Sequence, residues 1–475
     1  MGNVQKKLAA HAKLAMKAVR AIRTMRASAA ILLVLALTLV PLLGGCGSNS
    51  NAADNAASSE SDANASADKA SSDNSGGDSS RLTDRDSTTE THDDSAASDS
   101  SDSSHSDDPA EEDRGDSPPP GLERGESSQY DDSKPGQLTA GEWNDTAEWK
   151  GWLNLLQSGE GQENTSYWSF YPERRLEVDV VSDGKPVADA AVTLTRDDGE
   201  AVWEARTNNE GIAYVYAGLY DEQGSQDKYG VSVSFGDQLK RYGNVPVPRA
   251  EALKVELEQP VKTASALDLM LLVDTTGSMG DELDYLKTEL KDVVKRVDRD
   301  NGQQLAIRVS ANFYRDRGDD YVVKPFAFTD DVDKAVAQLS DQHAAGGGDF
   351  PEAVDRALEN AIDQHEWSDD ARARLLFLVM DAPPHHERKV TKRIQELTEE
   401  AAADGIRIIP VASSGVDVHT EYLMRFMAAA TGGTYLLLTD HSGIGGDHLE
   451  PATGIFEVKA LNDLLVNVIN RYAAQ

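Results

Sequence analysis

The chain has 475 residues, a formal net charge of −36 and one cysteine. Its length exceeds what a single hydrophobic core serves, so two or more folded units are expected. The acidic balance excludes a nucleic-acid role, which needs clustered Lys and Arg, and the lone thiol excludes an intramolecular disulfide or a cysteine-built metal site.

Residues 1–26 hold seven Lys or Arg and no acid, and an apolar run follows from Ala29 to Leu43. A basic head, a short apolar core and small residues before a cut site form a secretory signal. The run is shorter than the roughly 20 residues that span a bilayer, and Pro41 interrupts it. Leu43-Gly44-Gly45-Cys46 resembles the lipobox of bacterial lipoproteins. That resemblance implies lipidation of Cys46 and an anchor on the cell membrane or envelope, with residues 1–46 as signal peptide and lipobox; an uncleaved anchor helix is the alternative. From 47 to 137 the chain is Ser/Asp-rich, and residues 47–135 carry 6 basic against 23 acidic side chains. Such a segment cannot bury enough apolar surface to offset its ordering entropy, which predicts a disordered, self-repelling tether. Arg-Gly-Asp occurs at 114–116 and at 317–319; in a chain this rich in Asp and Gly, coincidence is the expectation.

Residues 138–173 form an aromatic connector with Trp143, Trp149, Trp152, Tyr167, Trp168, Phe170 and Tyr171. It is expected to pack on the domain that follows. Over 174–260, alternating runs such as Leu176-Glu-Val-Asp-Val180 and Val231-Ser-Val-Ser-Phe235 are separated by turn signals such as Asp183-Gly184. That pattern predicts a small all-β sandwich of about seven strands. Gly184-Lys-Pro-Val187 through Val192, with Thr207-Asn-Asn-Glu-Gly211, resembles transthyretin-like or carboxypeptidase-regulatory-like domains. A spacer role is expected for it.

From 266 to 475, strands alternate with helices, which predicts an α/β fold with a mostly parallel, doubly wound six-stranded sheet. Strands are expected at Leu267–Val273, Leu305–Tyr314, Tyr321–Phe328 (an antiparallel edge), Leu375–Met380, Ile406–Val411 and Thr434–Leu438. Helical spacing runs through Leu283, Leu286, Leu290, Val293, Val294 and Val297, and again through Val354, Ala357, Leu358, Ala361 and Ile362. A last helix is expected over about 458–472.

The loop after the first of these strands reads Asp274-Thr-Thr276-Gly-Ser278. One carboxylate and two hydroxyls at alternating positions offer hard oxygens to a divalent cation. The same spacing recurs at Asp99 and Asp102 inside the tether, so context must distinguish it. Asp274 follows an apolar strand and precedes an amphipathic helix; two more acids stand at later strand ends, Asp349 in Gly346-Gly-Gly-Asp-Phe-Pro-Glu352 and Asp381 in Leu378-Val-Met-Asp-Ala-Pro-Pro384.

These three motifs, in this order, resemble a von Willebrand factor A (VWA) domain, a Rossmann-like fold. The resemblance implies a metal-ion-dependent adhesion site holding Mg²⁺, with Ca²⁺ or Mn²⁺ as alternatives. By position, Asp274, Thr276 and Ser278 are first-motif ligands and Asp381 is the late acid. Asp349 stands where many members carry threonine. Three carboxylates would leave a 2+ ion over-neutralised, which disfavours a partner's carboxylate and predicts a tightly held ion. His385 and His386 are candidate rim residues. Asp316, Asp319 and Asp320 are candidates for a second cation or for turn capping, and Glu352 is expected to support its loop. The expected function is recognition of a protein or cell-surface polymer through the ion. A structural envelope protein with a stabilising metal and a metal-dependent hydrolase are the alternatives. No nucleophile–base pair stands beside the motifs in the sequence, so no enzyme is expected.

Overall fold

The computed structural model describes residues 133–221, 226–259, 264–302 and 304–474. The expected export segment, Cys46 and nearly all of the acidic stretch lie outside them. Among the described residues, no helix is long and apolar enough to cross a membrane.

The first element is β1 (Thr139–Trp143), followed by helices α1 (Trp149–Leu156) and α2 (Gly159–Trp168). Eight strands come next: β2 (Arg175–Ser182), β3 (Lys185–Pro186), β4 (Ala191–Thr195), β5 (Ala201–Arg206), β6 (Ile212–Tyr216), β7 (Lys228–Phe235), β8 (Gln238–Pro246) and β9 (Leu253–Leu257). They form two four-stranded sheets, one of β3-β2-β6 with β9 on β2, the other ordered β5-β4-β7-β8. Inward residues of both, including Val178, Val180, Val192, Leu194, Val231 and Val255, belong to one apolar core. Every second residue of β2 is buried, as its alternating sequence requires.

The remaining chain runs β10 (Ala266–Asp274), α3 (Leu283–Asn301), β11 (Ala306–Tyr314), β12 (Val323–Lys324), α4 (Val332–Ser340), α5 (Val354–Asp363), β13 (Ala373–Met380), α6 (Arg388–Asp404), β14 (Ile406–Ala412), α7 (Val418–Thr431), β15 (Tyr435–Leu438), β16 (Lys459–Ala460) and α8 (Leu461–Ala473). Its sheet has eight strands in the order β12-β11-β10-β13-β14-β15-β1-β16. Neighbours from β11 to β15 are parallel; β12, β1 and β16 join antiparallel. The expectation of six strands is therefore exceeded by β1, which the aromatic connector contributes, and by the two-residue β16. The expected edge strand Tyr321–Phe328 shrinks to Val323–Lys324, because Pro325 has no N–H to give the ladder.

Side chains along β10 alternate between two cores. Leu269, Leu271 and Val273 face α3, α4 and α8, whereas Met270 and Leu272 face α5, α6 and α7. Burial on both faces explains why the strand reads as a continuous apolar run. All six apolar positions of α3 named above are buried, as are all five of α5.

The connector and the small sheets are bound to the α6/α7 side by specific contacts. Trp152 packs at 5.5 Å from Phe426, and Phe170 stacks on the same ring at 5.1 Å. Arg425, 1% exposed, bonds Asp145 at 2.7 and 2.9 Å and Glu421 at 3.0 Å, so α7 and the connector share a buried ion triad. Arg374 of β13 pairs with Asp189 at 2.8 Å, both buried, and Tyr216 donates to the carbonyl of Ala429 at 2.9 Å.

Candidate functional site

The chain leaves β10 for β11 on one side and returns to β13 on the other, so the sheet's topological switch lies between β10 and β13. Ligands of open parallel sheets bind at strand C-termini beside such a switch. Asp274 is the last residue of β10 and Asp381 the first after β13. The two candidate acids thus come from adjacent strands at one rim.

Thr276 fixes Asp274: its N–H and hydroxyl donate to Oδ1 at 2.9 and 2.7 Å. The Thr276 and Ser278 hydroxyls lie 3.1 Å apart, and the Ser278 side chain neighbours the Asp381 carboxyl. The structure therefore brings Asp274, Thr276, Ser278 and Asp381 into one linked group. Asp274 and Thr276 are fully buried, while Ser278 is exposed. The loop carrying them is pinned from behind. Thr275 N donates to Tyr314 O at 3.0 Å, Gly277 N to Gly346 O at 3.1 Å, and buried Arg315 reaches Thr275 O and His343 O at 3.1 and 2.8 Å.

Asp349 lies outside this linked group, exposed on its glycine-rich loop. The acid of that loop which is buried is Glu352, at 2% exposure. Gly347 has φ +71°, and a Cβ there would sit 3.2 Å from Glu352 Oε1 and 3.4 Å from Thr276 Cβ. Only a glycine leaves that passage open.

Three carboxylate oxygens of this rim, Asp274 Oδ2, Asp381 Oδ1 and Glu352 Oε2, are buried without a hydrogen-bond partner. Burial, then the charge of Asp381, pushes Asp274 up to about 7, against the pull of its Thr276 bonds. Burial likewise raises Asp381 to about 6; the neighbouring Ser278 hydroxyl opposes the rise, and Glu282 and Asp281 add to it. Glu352 is driven to about 9 by burial and by Asp274, Asp316, Asp381 and Asp319. Among the described residues, no three His, Cys, Asp or Glu side chains stand in a ready-made metal-ligating group. The oxygens gathered at this rim are the Thr276 and Ser278 hydroxyls and the Asp274 and Asp381 carboxyls. Two carboxylates, two hydroxyls and unsatisfied buried oxygens fit a hard divalent cation that keeps part of its water.

The remaining candidates, Asp320 apart, have structural partners. Asp319 accepts from Asp316 N at 3.1 Å and Gly347 N at 2.9 Å, clamping the turn after β11 to the glycine loop; Arg317 pairs with Glu387 at 2.8 Å. The Arg-Gly-Asp run at 317–319 thus has both charged side chains engaged within the fold, and the run at 114–116 lies outside the described residues. His385 bonds Asp316 at 2.8 Å, Asp320 is exposed, and His386 stacks on Tyr167 at 3.7 Å.

A latch absent from the sequence reading closes the other side of the rim. His448 bonds fully buried Glu282 at 2.8 Å and Asp440 at 2.7 Å, drawing the segment after β15 onto the 3₁₀ turn Gly277–Asp281 that carries Ser278. No periodicity or motif joins residues 166 positions apart.

Residues 268–443 match the family model of the von Willebrand factor A domain, and this part of the chain is a VWA domain. A protein described as an ariadne-like RING finger protein of Acanthamoeba polyphaga mimivirus is 28% identical over 191 residues, which is 37% of this chain and 18% of that protein. The von Willebrand factor A domain-containing protein 7 of Rattus norvegicus is 31% identical over 135 residues, 28% of this chain and 14% of that protein. The chain therefore spans less than a fifth of the length of either relative. Among solved structures, a conserved hypothetical protein, BatB from Bacteroides thetaiotaomicron, aligns with 44% of this chain and 98% of its own at 13% identity and a TM-score of 0.31.

Proposed function

We propose that the VWA domain binds a protein or surface-polymer partner through a divalent cation, Mg²⁺ first among candidates, held by Asp274, Thr276, Ser278 and Asp381. The observation that carries this reading is the set of buried, unpartnered oxygens on Asp274 and Asp381 at the sheet's switch point. A buried carboxylate oxygen with no donor and a like charge beside it is costly unless a cation compensates it. When bound, the ion supplies a Lewis-acidic position for an oxygen of the partner. The protein's own part is to hold the two acids at a fixed rim: Thr276 orients Asp274, Arg315 and Asp319 brace the neighbouring loops, and the His448 latch steadies the turn bearing Ser278. In this reading the domain is displayed outside the cell, with Cys46 lipidated and the acidic segment as tether. The support for that part is the order of basic, apolar and small residues ahead of Cys46.

The test is a pull-down from envelope extracts with Mg²⁺ or with chelator, using wild type and Asp274→Ala, alongside thermal melts. Partner capture that needs both Mg²⁺ and Asp274, with the fold still cooperative in chelator, supports recognition. Capture that persists in chelator while the melting temperature falls steeply identifies a stabilising ion instead.

A further inference from the structure

We infer that Glu352 is the third carboxylate of the cation site, facing the ion across one of its bound waters. The inference rests on the reading of Asp274 and Asp381 as ion ligands and moves the third acid from Asp349 to Glu352.

Three observations place Glu352 there. Its backbone N–H donates to Pro383 O at 2.8 Å, and a bridge pairs it with Pro384. The residue is thereby fastened to the segment that begins at Asp381. Its side chain is 2% exposed, yet Oε2 has no hydrogen-bond partner. The other oxygen, Oε1, and Thr276 border the same space beside Gly347, where a Cβ would sit 3.2 Å from the one and 3.4 Å from the Cβ of the other. A buried carboxyl with an oxygen unused, fastened to the segment that starts at Asp381, is positioned to accept from a donor at this rim.

A hydrated Mg²⁺ provides that donor. This ion gives up water reluctantly and is held through one or two carboxylates, so further acids act through its waters. Asp349, being exposed, has its charge screened by solvent and contributes little.

The experiment titrates the full chain with Mn²⁺ alone by calorimetry, comparing wild type, Glu352→Gln, Asp349→Asn and Asp274→Ala, with melts in chelator as a check of folding. Loss of an acceptor in the outer shell of a metal costs about 10–100-fold in affinity. Glu352→Gln is expected to weaken Mn²⁺ at least about tenfold while melting no lower than wild type in chelator, and Asp349→Asn to stay within about twofold. Glu352→Gln binding within about twofold of wild type overturns the inference. Should that variant not fold, Glu352→Ala, which leaves room for a water, is judged by the same criterion. If Asp274→Ala also binds as tightly as wild type, the ion site itself is refuted; if it loses the ion and Glu352→Gln does not, only the role of Glu352 falls.

Discussion

Replacing Asp274 by Asn should stabilise the metal-free protein, an unusual outcome for a fully buried and hydrogen-bonded residue. Asn keeps the Oδ1 acceptor used by Thr276 N–H and hydroxyl and removes the charge that burial and Asp381 oppose. The folded-state pKa of about 7 stands above the ordinary aspartate value of 3.8. At about 1.4 kcal/mol per pH unit, ionising Asp274 in the fold costs at most about 4 kcal/mol, part of it shared with Asp381. The sign follows from proton linkage. An acid raised by folding binds more protons in the native state, so stability falls as pH rises from about 4 to about 7 and is flat above. In chelator at pH 8, Asp274→Asn should therefore melt higher than wild type, by roughly 2–4 °C per kcal/mol. The two should converge near pH 4. Saturating Mg²⁺ should close the gap, since an ion at 100 times its Kd adds about 2.7 kcal/mol to a protein that can bind it. Differential scanning fluorimetry across pH, with and without Mg²⁺, measures all of this. Asp274→Asn melting at or below wild type in chelator at pH 8 would refute the argument that an uncompensated charge sits there.

Arg425→Ala strands Asp145 and Glu421 in the core between the connector and α7 and should cost about 3–5 kcal/mol in urea denaturation. For His448, burial pulls the pKa down, but the bonds to Glu282 and Asp440 more than offset it, and the net direction is upward. Its stabilising effect is therefore full below about 6.5 and fades as pH rises through the folded value. His448→Gln should accordingly lower the urea midpoint more at pH 6 than at pH 9; an equal loss at both would contradict the latch. Cys46→Ser should abolish labelling by radioactive palmitate and release the protein from the cell envelope.

The strand positions and the acids that follow them were legible because they rest on local pattern. The run Leu267–Val273 reads as a strand buried on both faces, and the spacings in α3 and α5 put the apolar residues where the structure buries them. Asp274, Thr276 and Ser278 were visible together since a single loop holds them, and Asp381 stood out at a strand end. What escaped depends on contacts between distant segments. β1 pairs with β15 at Ala140 and Leu438, and nothing in Thr139–Trp143 names that partner. Asp349 and Glu352 lie on one loop, three positions apart in the sequence. Which of them is buried depends on the positive φ of Gly346 and Gly347 and on the Glu352–Pro384 bridge, which spacing alone does not encode. Pro325 did carry a readable signal, and the length expected for the edge strand passed over it.

Crystals of the folded part grown with Mn²⁺, with data collected at the manganese absorption edge, test the central claim most directly. One anomalous peak should appear at the β10–β13 rim, within bonding distance of oxygens of the group formed by Asp274, Thr276, Ser278 and Asp381. A fully loaded Mn²⁺ crystal with no peak there, or with the Asp274 and Asp381 carboxylates turned away from the metal, would contradict it.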